Sequence, residues 1–198
     1  MELNNYEYII ASLPVLQPEF RGPLDAGGIL EEIRTQLSGK DAADLDFLLD
    51  GWDADKLDEA FYREASRRKN GFIRDYFAYD LRLRNAKVAW LNKALGRPDG
   101  QDMIPCGEED FEDLPIANEV LSQQDILGRE RGLDDLLWRR IDSLTIMHVF
   151  DMDVILGFAA KLKIVDRWLA LDEAAGRELF HRLVAEIREN YGSQLSNT

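Results

Sequence analysis

Hydrophobic residues recur at intervals of three and four along most of this chain, which is the spacing of one face of an α-helix. The longest such pattern covers residues 71–96 and predicts one long helix. At about 100° of rotation per residue, its apolar side chains fall in a wide arc around Leu83, which predicts contact with more than one neighbour. The members of this arc are Phe72, Tyr76, Tyr79, Ala86, Trp90 and Ala94, extended by Ile73, Phe77, Leu91 and Leu95.

Shorter patterns predict helices on both sides of the long one. Two apolar stripes in the N-terminal part end at Gly39 and Gly51, and a helix over 56–69 is predicted to end at Asn70-Gly71, a C-cap signal. Beyond the long helix, three further stripes predict three more helices. The stripe residues are Ile29, Ile33 and Leu37; Leu45, Leu48 and Leu49; Leu133, Leu137, Ile141, Leu144 and His148; Ile155, Phe158, Leu162, Val165 and Leu169; and Leu179, Phe180, Leu183, Val184 and Ile187.

The fold class predicted from these patterns is all-α. Only the segment Tyr6-Glu7-Tyr8-Ile9-Ile10 leaves a choice, since its aromatic and β-branched residues suit a short strand as well as the first turn of a helix. Pro14, Pro18 and Pro23 prevent any long element directly after it.

The chain divides into an N-terminal helical unit over 1–97, an acidic linker over 98–119 and a C-terminal helical unit over 120–192. The linker contains few apolar residues and is predicted to be mobile. A weak internal echo at a separation of 78 residues indicates two related units, packed as one domain. The repeated residues are Phe72, Asp75, Trp90 and Leu91, matched by Phe150, Asp153, Trp168 and Leu169.

Charge is distributed unevenly in this acidic protein, whose formal net charge is −14. Residues 61–97 contain ten basic and three acidic residues, whereas residues 1–60 contain four and fourteen and residues 98–135 contain two and twelve. Each patch acts over one Debye length, ~10 Å at ordinary salt, so this segregation indicates oriented contacts with partners of unlike charge. Nucleic acid is not expected among them, because the remaining acidic surface would repel phosphates.

The basic residues fall into two groups. Arg63, Arg67, Arg68, Lys69 and Arg74, here called the basic patch, surround the predicted helix junction and form the candidate contact surface for a partner.

Asp80, Arg84 and Lys87 instead project within the apolar arc of the long helix. Asp80 lies four residues before Arg84 and seven before Lys87, spacings that let one carboxylate meet both cations. These three residues are predicted to form an internal ion-pair cluster, and the alternative is an interface site whose pairing a partner completes.

Residues typical of active sites are few. Cys106 is the only cysteine, which excludes an internal disulfide and fits a reducing compartment. His148 lies on an apolar stripe and is predicted to be a core residue, while His181, in a single Glu-x-x-His, faces away from its stripe. No serine-hydrolase elbow, phosphate-binding loop or dinucleotide-binding glycine motif occurs.

We therefore predict no catalytic residue, no cofactor, no metal site and no enzymatic activity. The enzymatic alternative requires a concave pocket that gathers Asp80 with other titratable groups. No stretch approaches the ~20 apolar residues of a membrane span, and the N-terminus lacks the features of a signal peptide, so a cytoplasmic protein without direct membrane insertion is expected.

One segment of the long helix resembles a known family. The run Tyr76-Phe77-Ala78-Tyr79-Asp80-Leu81-Arg82-Leu83-Arg84-Asn85-Ala86-Lys87, continuing to Gly96, is similar to a helix of the V/A-type ATPase central-stalk subunit, the C subunit of archaeal and bacterial enzymes and the d subunit of eukaryotic ones. That family places an acidic residue, an asparagine and a basic residue ahead of a glycine. The counterparts here are Asp80, Asn85, Lys87 and Gly96, whereas Arg82 and Asn92 depart from the family's pattern.

The two ends of the chain resemble a second family. Residues 5–14 and 161–168 are similar to a small family of unknown function encoded beside V-type ATPase genes in Bacteroidetes, chlamydiae and spirochaetes. The central-stalk subunit consists of three related helical units, so a chain of 198 residues corresponds to about two of them.

Together these resemblances imply a non-catalytic stalk or assembly subunit of a rotary ATPase that transports protons or sodium ions. Its partners would be the rotor shaft and the proteolipid ring, and its location would be peripheral at the membrane. The competing hypothesis is a free-standing helical adaptor that binds an acidic partner through the basic patch.

Overall fold

The structure is a computed structural model that describes residues 6–107 and 111–171. Every regular element in these ranges is helical, which confirms the all-α prediction. Glu7–Ser12 is helical, which settles the choice left open at the N-terminus. The last predicted stripe, 179–187, and His181 lie outside the described residues.

Eight α-helices are described, numbered here in chain order, with one 3-10 turn between the third and fourth. They are α1 Glu7–Ser12, α2 Ala26–Gln36, α3 Gly39–Asp50, the 3-10 turn Ala54–Lys56, α4 Glu59–Ala65, α5 Gly71–Leu95, α6 Leu114–Leu121, α7 Ile126–Thr145 and α8 over 152–171.

Polar side chains mark where several helices begin. Asp58 accepts a hydrogen bond from the backbone N–H of Phe61, and Asn70 accepts one from Ile73, so each side chain satisfies a donor that helix geometry leaves unpaired. Asn70 is therefore the N-cap of α5, and the C-cap predicted there is wrong. Gly96 has a φ of 63° and ends α5 as predicted, because glycine adopts this left-handed conformation without strain.

Three long helices, α5, α7 and α8, form the frame of the molecule. Lys87 of α5 pairs with Glu130 near the start of α7, and Arg140 near the end of α7 lies over Tyr79, so α5 and α7 are antiparallel. Contacts of α7 with α8, namely Asp134 with Arg167 and Asp142 with Lys161, are also those of antiparallel helices. Helices from both sides of the predicted linker therefore pack in one bundle.

The frame has two ends. At one, here called the turn end, α5 begins and the 146–151 turn joins α7 to α8. At the other, here called the opposite end, α5 finishes and α7 begins.

A cluster of aromatic rings joins α3, α4 and α5. Phe47 stacks on Phe61 with ring centroids 4.7 Å apart, and Phe61 meets Phe77 edge to face at 4.9 Å. These offset and edge-to-face geometries are favourable for aromatic pairs and add to the burial of apolar surface.

The predicted acidic linker contains regular structure and fixed contacts. Helix α6 begins at Leu114, so the prediction of a mobile segment is wrong for residues 114–119. Upstream, Asn85 donates to the carbonyl of Ile104 at 2.7 Å and accepts from its N–H at 3.1 Å, and Asn92 donates to the carbonyl of Gln101 at 2.7 Å. Both asparagines are buried on α5, and their bonds hold residues 101–104 against that helix.

Candidate functional site

The basic patch surrounds the junction of α4 and α5, but its residues have different roles. Arg67 and Lys69 are exposed. Arg63 is also exposed and lies 3.8 Å from Glu59, a surface pair that contributes little to stability. These three residues are the part of the patch whose charge a partner could reach.

Arg68 and Arg74 hold the junction together. The Arg68 guanidinium lies 4.0 Å from the centre of the Phe47 ring, with Glu64 at 2.9 Å and Asp44 at 3.6 Å. Nη1 of Arg74 donates to the carbonyls of Arg68 and Lys69, both at 2.8 Å. The sequence showed a cluster of positive charge but not that its members contact the chain itself, because these contacts depend on the path of residues 66–70.

The residues of the predicted ion-pair cluster share one cavity but not one partner. Asp80, Arg84 and Lys87 line a space of about 230 Å³ between α5, α7 and α8. Lys87 pairs with Glu130 at 2.5 Å and not with Asp80. The prediction that Asp80 pairs with both Arg84 and Lys87 is therefore wrong for Lys87, because Glu130 of α7 pairs with Lys87 instead.

Asp80 is the chemically most unusual group in this cavity. Its carboxylate accepts a hydrogen bond from the Tyr62 hydroxyl at 2.7 Å. Burial raises the pKa of the Asp80 carboxyl, while the Tyr62 hydrogen bond and the Arg84 charge oppose the rise without cancelling it. Burial and the charge of Asp80 also raise the pKa of the Tyr62 hydroxyl, so Tyr62 is the donor in this hydrogen bond.

Sequence reasoning missed Asp134, a buried acid of the same cavity. Only 4% of Asp134 is exposed, and it accepts from Nε1 of Trp168 at 2.7 Å and pairs with Arg167. Its position four residues before Trp138 on α7 was a usable signal, but its two partners are on α8 and become evident only once the helices are placed. Carboxylates and cations of this cavity thus pair with one another, and these pairs join neighbouring helices.

A second cavity, of about 330 Å³, adjoins the basic patch. Its lining is largely apolar and includes three arginines beside one acid, Glu59, so it suits an acidic ligand that also has an apolar part. Cys106 is exposed at its edge, with Sγ 3.6 Å from Nδ2 of Asn85. The apolar lining residues include Ala65, Phe77, Ala78 and Leu81, and the arginines are Arg63, Arg74 and Arg82.

The turn end carries exposed apolar residues. Ile146, Met147, Val149 and Phe150, here called the apolar turn, are 78%, 87%, 63% and 42% exposed. Helix α7 ends at Thr145, so His148 lies in this turn and the prediction that it is a core residue is wrong.

The ring of His148 joins two acids beneath the apolar turn. Nδ1 of His148 lies 2.6 Å from Oδ2 of Asp151, and Nε2 lies 3.6 Å from Oδ2 of Asp153. The hydrogen bond with Asp151 raises the pKa of His148 and outweighs the lowering by partial burial. When protonated, His148 therefore places a positive charge between these two acids.

Neither a metal-binding group nor a membrane-spanning helix occurs among the described residues. No group of three or more His, Cys, Asp or Glu side chains there is placed to hold a metal ion. Within the same ranges, no helix combines the length and hydrophobicity needed to cross a membrane.

Comparison with known proteins gives a match for the C-terminal part of the chain. Residues 106–191 match the model of a family described as protein of unknown function (DUF2764). This range covers less than half of the chain; it includes α6, α7 and the apolar turn, and excludes the basic patch and Asp80. No curated protein and no solved structure matches the chain.

Proposed function

We propose that this protein is a non-catalytic stalk or assembly subunit of a V/A-type rotary ATPase, placed between the rotor shaft and the proteolipid ring. The observation that carries the proposal is the way in which other segments of the chain support α5. This helix is braced on several sides by the rest of the chain, and exposed apolar residues lie at both ends of the frame that it forms.

Helix α5 has the length and support of a mechanical element. Its 25 residues extend about 37 Å at ~1.5 Å per residue. Asn85 and Asn92 bind the 101–104 segment, Lys87 binds α7, and Tyr79 donates to Asp113 before α6 at 2.6 Å. Polar groups joined in this way resist bending, which supports a role in transmitting force.

The residues that carried the resemblance to the central-stalk subunit have structural roles. Asp80 binds Tyr62 of α4, Asn85 fixes Ile104, Lys87 reaches Glu130, and Gly96 ends the helix. A motif whose members join one helix to its neighbours supports a scaffold function.

Both ends of the frame offer apolar surface to a partner. The apolar turn lies at the turn end, and at the opposite end Leu95, Ile126 and Leu127 are 60%, 66% and 59% exposed. Adjacent exposed apolar residues are typical of interaction surfaces. Two such surfaces on one rigid frame suit a protein that connects two others.

The proposal is tested in the source organism with a chromosomally tagged chain purified in mild detergent. We expect ATPase stalk and proteolipid subunits to co-purify, and deletion of the gene to lower the amount of assembled ATPase. Purification of intact ATPase without this chain, together with normal assembly in the deletion strain, would contradict the proposal.

The second cavity supports the adaptor alternative, in which an acidic partner binds beside the basic patch. Charge reversal by Arg63→Glu and Arg67→Glu should then abolish partner binding, while the same change at Lys40 and Lys93, two exposed lysines outside this cavity, should not. Because Cys106 is the only cysteine, an environment-sensitive dye attached there reports occupation of the cavity directly. An unchanged dye signal on addition of the captured partner would exclude this cavity as the binding site.

A further inference from the structure

The apolar turn concentrates four exposed hydrophobic side chains within five residues. Single exposed apolar residues are common, whereas adjacent ones mark binding surfaces, because burial of each recovers about 25 cal/mol per Å². Tyr8, 91% exposed, lies on the adjoining helix α1, which is joined to the turn by a hydrogen bond from Tyr6 N to the Phe150 carbonyl at 2.8 Å. The apolar surface of the turn end can thus extend onto α1.

The backbone of the turn is held in place although its apolar side chains are exposed. The N–H of His148 donates to the Thr145 carbonyl at 2.9 Å, and Oδ1 of Asp151 accepts from the N–H of Asp153 at 3.2 Å. The two ring nitrogens of His148 face Asp151 and Asp153. A surface arranged before binding loses little conformational entropy when a partner arrives, which distinguishes this turn from a flexible loop.

The chain directly after the apolar turn is linked to a segment that carries positive charge. Asp153 accepts from Nδ2 of Asn70 at 2.8 Å and also lies near Nε2 of His148, so it links the turn to the segment that carries Arg67 and Lys69. Both cations are exposed. Asp151 and Asp153 are bound within the chain through His148 and Asn70, and neither of them pairs with Arg67 or Lys69.

From these observations we propose that the apolar turn, with Arg67 and Lys69 at its edge, is the docking surface for a protein that presents an apolar recess bordered by carboxylates. Hydrophobic burial would supply affinity and the two cations would select an acidic partner. A membrane is a poorer occupant, because a chain of net charge −14 is repelled by anionic lipids. The inference rests on the proposed function in one respect only, that the protein acts by binding another protein.

Photo-crosslinking of the full chain tests this surface. In a Cys106→Ser background, Met147→Cys is labelled with a benzophenone maleimide, and Leu95→Cys at the opposite end is the matched control. Each labelled protein is irradiated in an extract of the source organism, with and without Arg67→Glu and Lys69→Glu. Every side chain substituted in these variants is exposed, Cys106 included, so circular dichroism should show an unchanged fold.

We expect the label at position 147 to capture another protein through a peptide rich in Asp and Glu, and charge reversal to lower the yield about tenfold, the effect of losing strong interface contacts. Capture through position 95 should not change. Four results would overturn the inference: no adduct at position 147, an adduct insensitive to charge reversal, an adduct with a second copy of the chain, or one with its own residues 1–5. Charge-dependent capture of a protein outside the ATPase would keep the inference and contradict the proposed function.

Discussion

At the scale of single residues, the polar side chains on α5 serve mainly to join this helix to other segments. Asn85 and Asn92 are both less than 6% exposed, and each binds the backbone of the 101–104 segment. A buried amide whose bonds are satisfied adds specificity at little cost, whereas the same amide without partners would destabilise the fold. Asp80 differs from them, because it is a carboxylate whose pairing does not fully offset its burial.

Replacing Asp80 by Asn should stabilise the protein at neutral pH. A carboxyl with a raised folded-state pKa favours folding when protonated, and this contribution is lost as the pH rises from the unfolded value of 3.8 through the folded value. The introduced amide is neutral at every pH and keeps an acceptor for the Tyr62 hydroxyl. We expect a gain in the free energy of unfolding on the order of 1 kcal/mol at pH 7, shrinking towards pH ~4.

Urea unfolding at the two pH values measures this difference. Asp75→Asn, an exposed change five residues earlier on the same helix, is the control and should have a small effect at both. If Asp80→Asn instead lowered stability at pH 7, the attraction between Asp80 and Arg84 would outweigh the cost of burial.

At the scale of helices, local signals and long-range contacts account for different parts of the structure. The boundaries of α5 agree with the prediction to one residue, because its apolar period and its terminal Gly96 are encoded nearby. Helix α4 is shorter than predicted and α6 was not predicted. The segment after α4 is bound by Arg74, an interaction that periodicity does not reveal.

The candidate site was predictable to a similar degree. The grouping of Asp80, Arg84 and Lys87 on one face followed from helical phasing, and the structure places all three in one cavity. The partners of Asp80 and Lys87 did not follow, because Tyr62 and Glu130 lie on two other helices.

Two members of the internal echo have similar environments. Trp90 of α5 and Trp168 of α8 each lie under an arginine of α7, with guanidinium-to-ring distances of 4.8 Å from Arg129 and 4.5 Å from Arg131. Helix α7 thus contacts α5 and α8 through two arginines that are close in sequence. Cation–π contacts of this kind contribute about 0.5–1 kcal/mol at exposed sites.

The close approach of α7 and α8 depends on Gly157. A Cβ at this position would lie 2.6 Å from Cγ2 of Thr145 and 3.3 Å from Cγ2 of Ile141, so Gly157→Ala forces the helices apart. We expect overpacking to lower the free energy of unfolding by about 1–3 kcal/mol, and the ~1 kcal/mol gained in helix propensity to offset only part of this loss. Thermal and urea unfolding measure the net change.

A second substitution tests the cause. Thr145→Ser removes the obstructing methyl group and keeps the hydroxyl that donates to the Ile141 carbonyl at 2.9 Å, so it should recover part of the loss in the double variant. Gly39→Ala, where a Cβ would meet nothing within 4 Å, is the neutral control. Equal losses in the single and double variants would show that another contact is responsible.

At the scale of the whole molecule, charge and exposed apolar surface act against each other. The formal net charge of −14 keeps copies apart at neutral pH, while the apolar turn and the opposite end present surface that favours association.

Acidification should therefore cause association through the apolar turn. As carboxylates are protonated, the repulsion weakens, and we expect sedimentation velocity to show larger species near pH ~5 and a monomer at pH ~7.5. Met147→Ser with Val149→Ser should lower the associated fraction several-fold, because these side chains would supply the buried area. Val15→Ser, which removes an isolated side chain that is 81% exposed, should have little effect. Equal association in all three proteins would mean that the apolar turn does not drive contact between copies, and that its exposed side chains add nothing beyond what scattered surface residues supply.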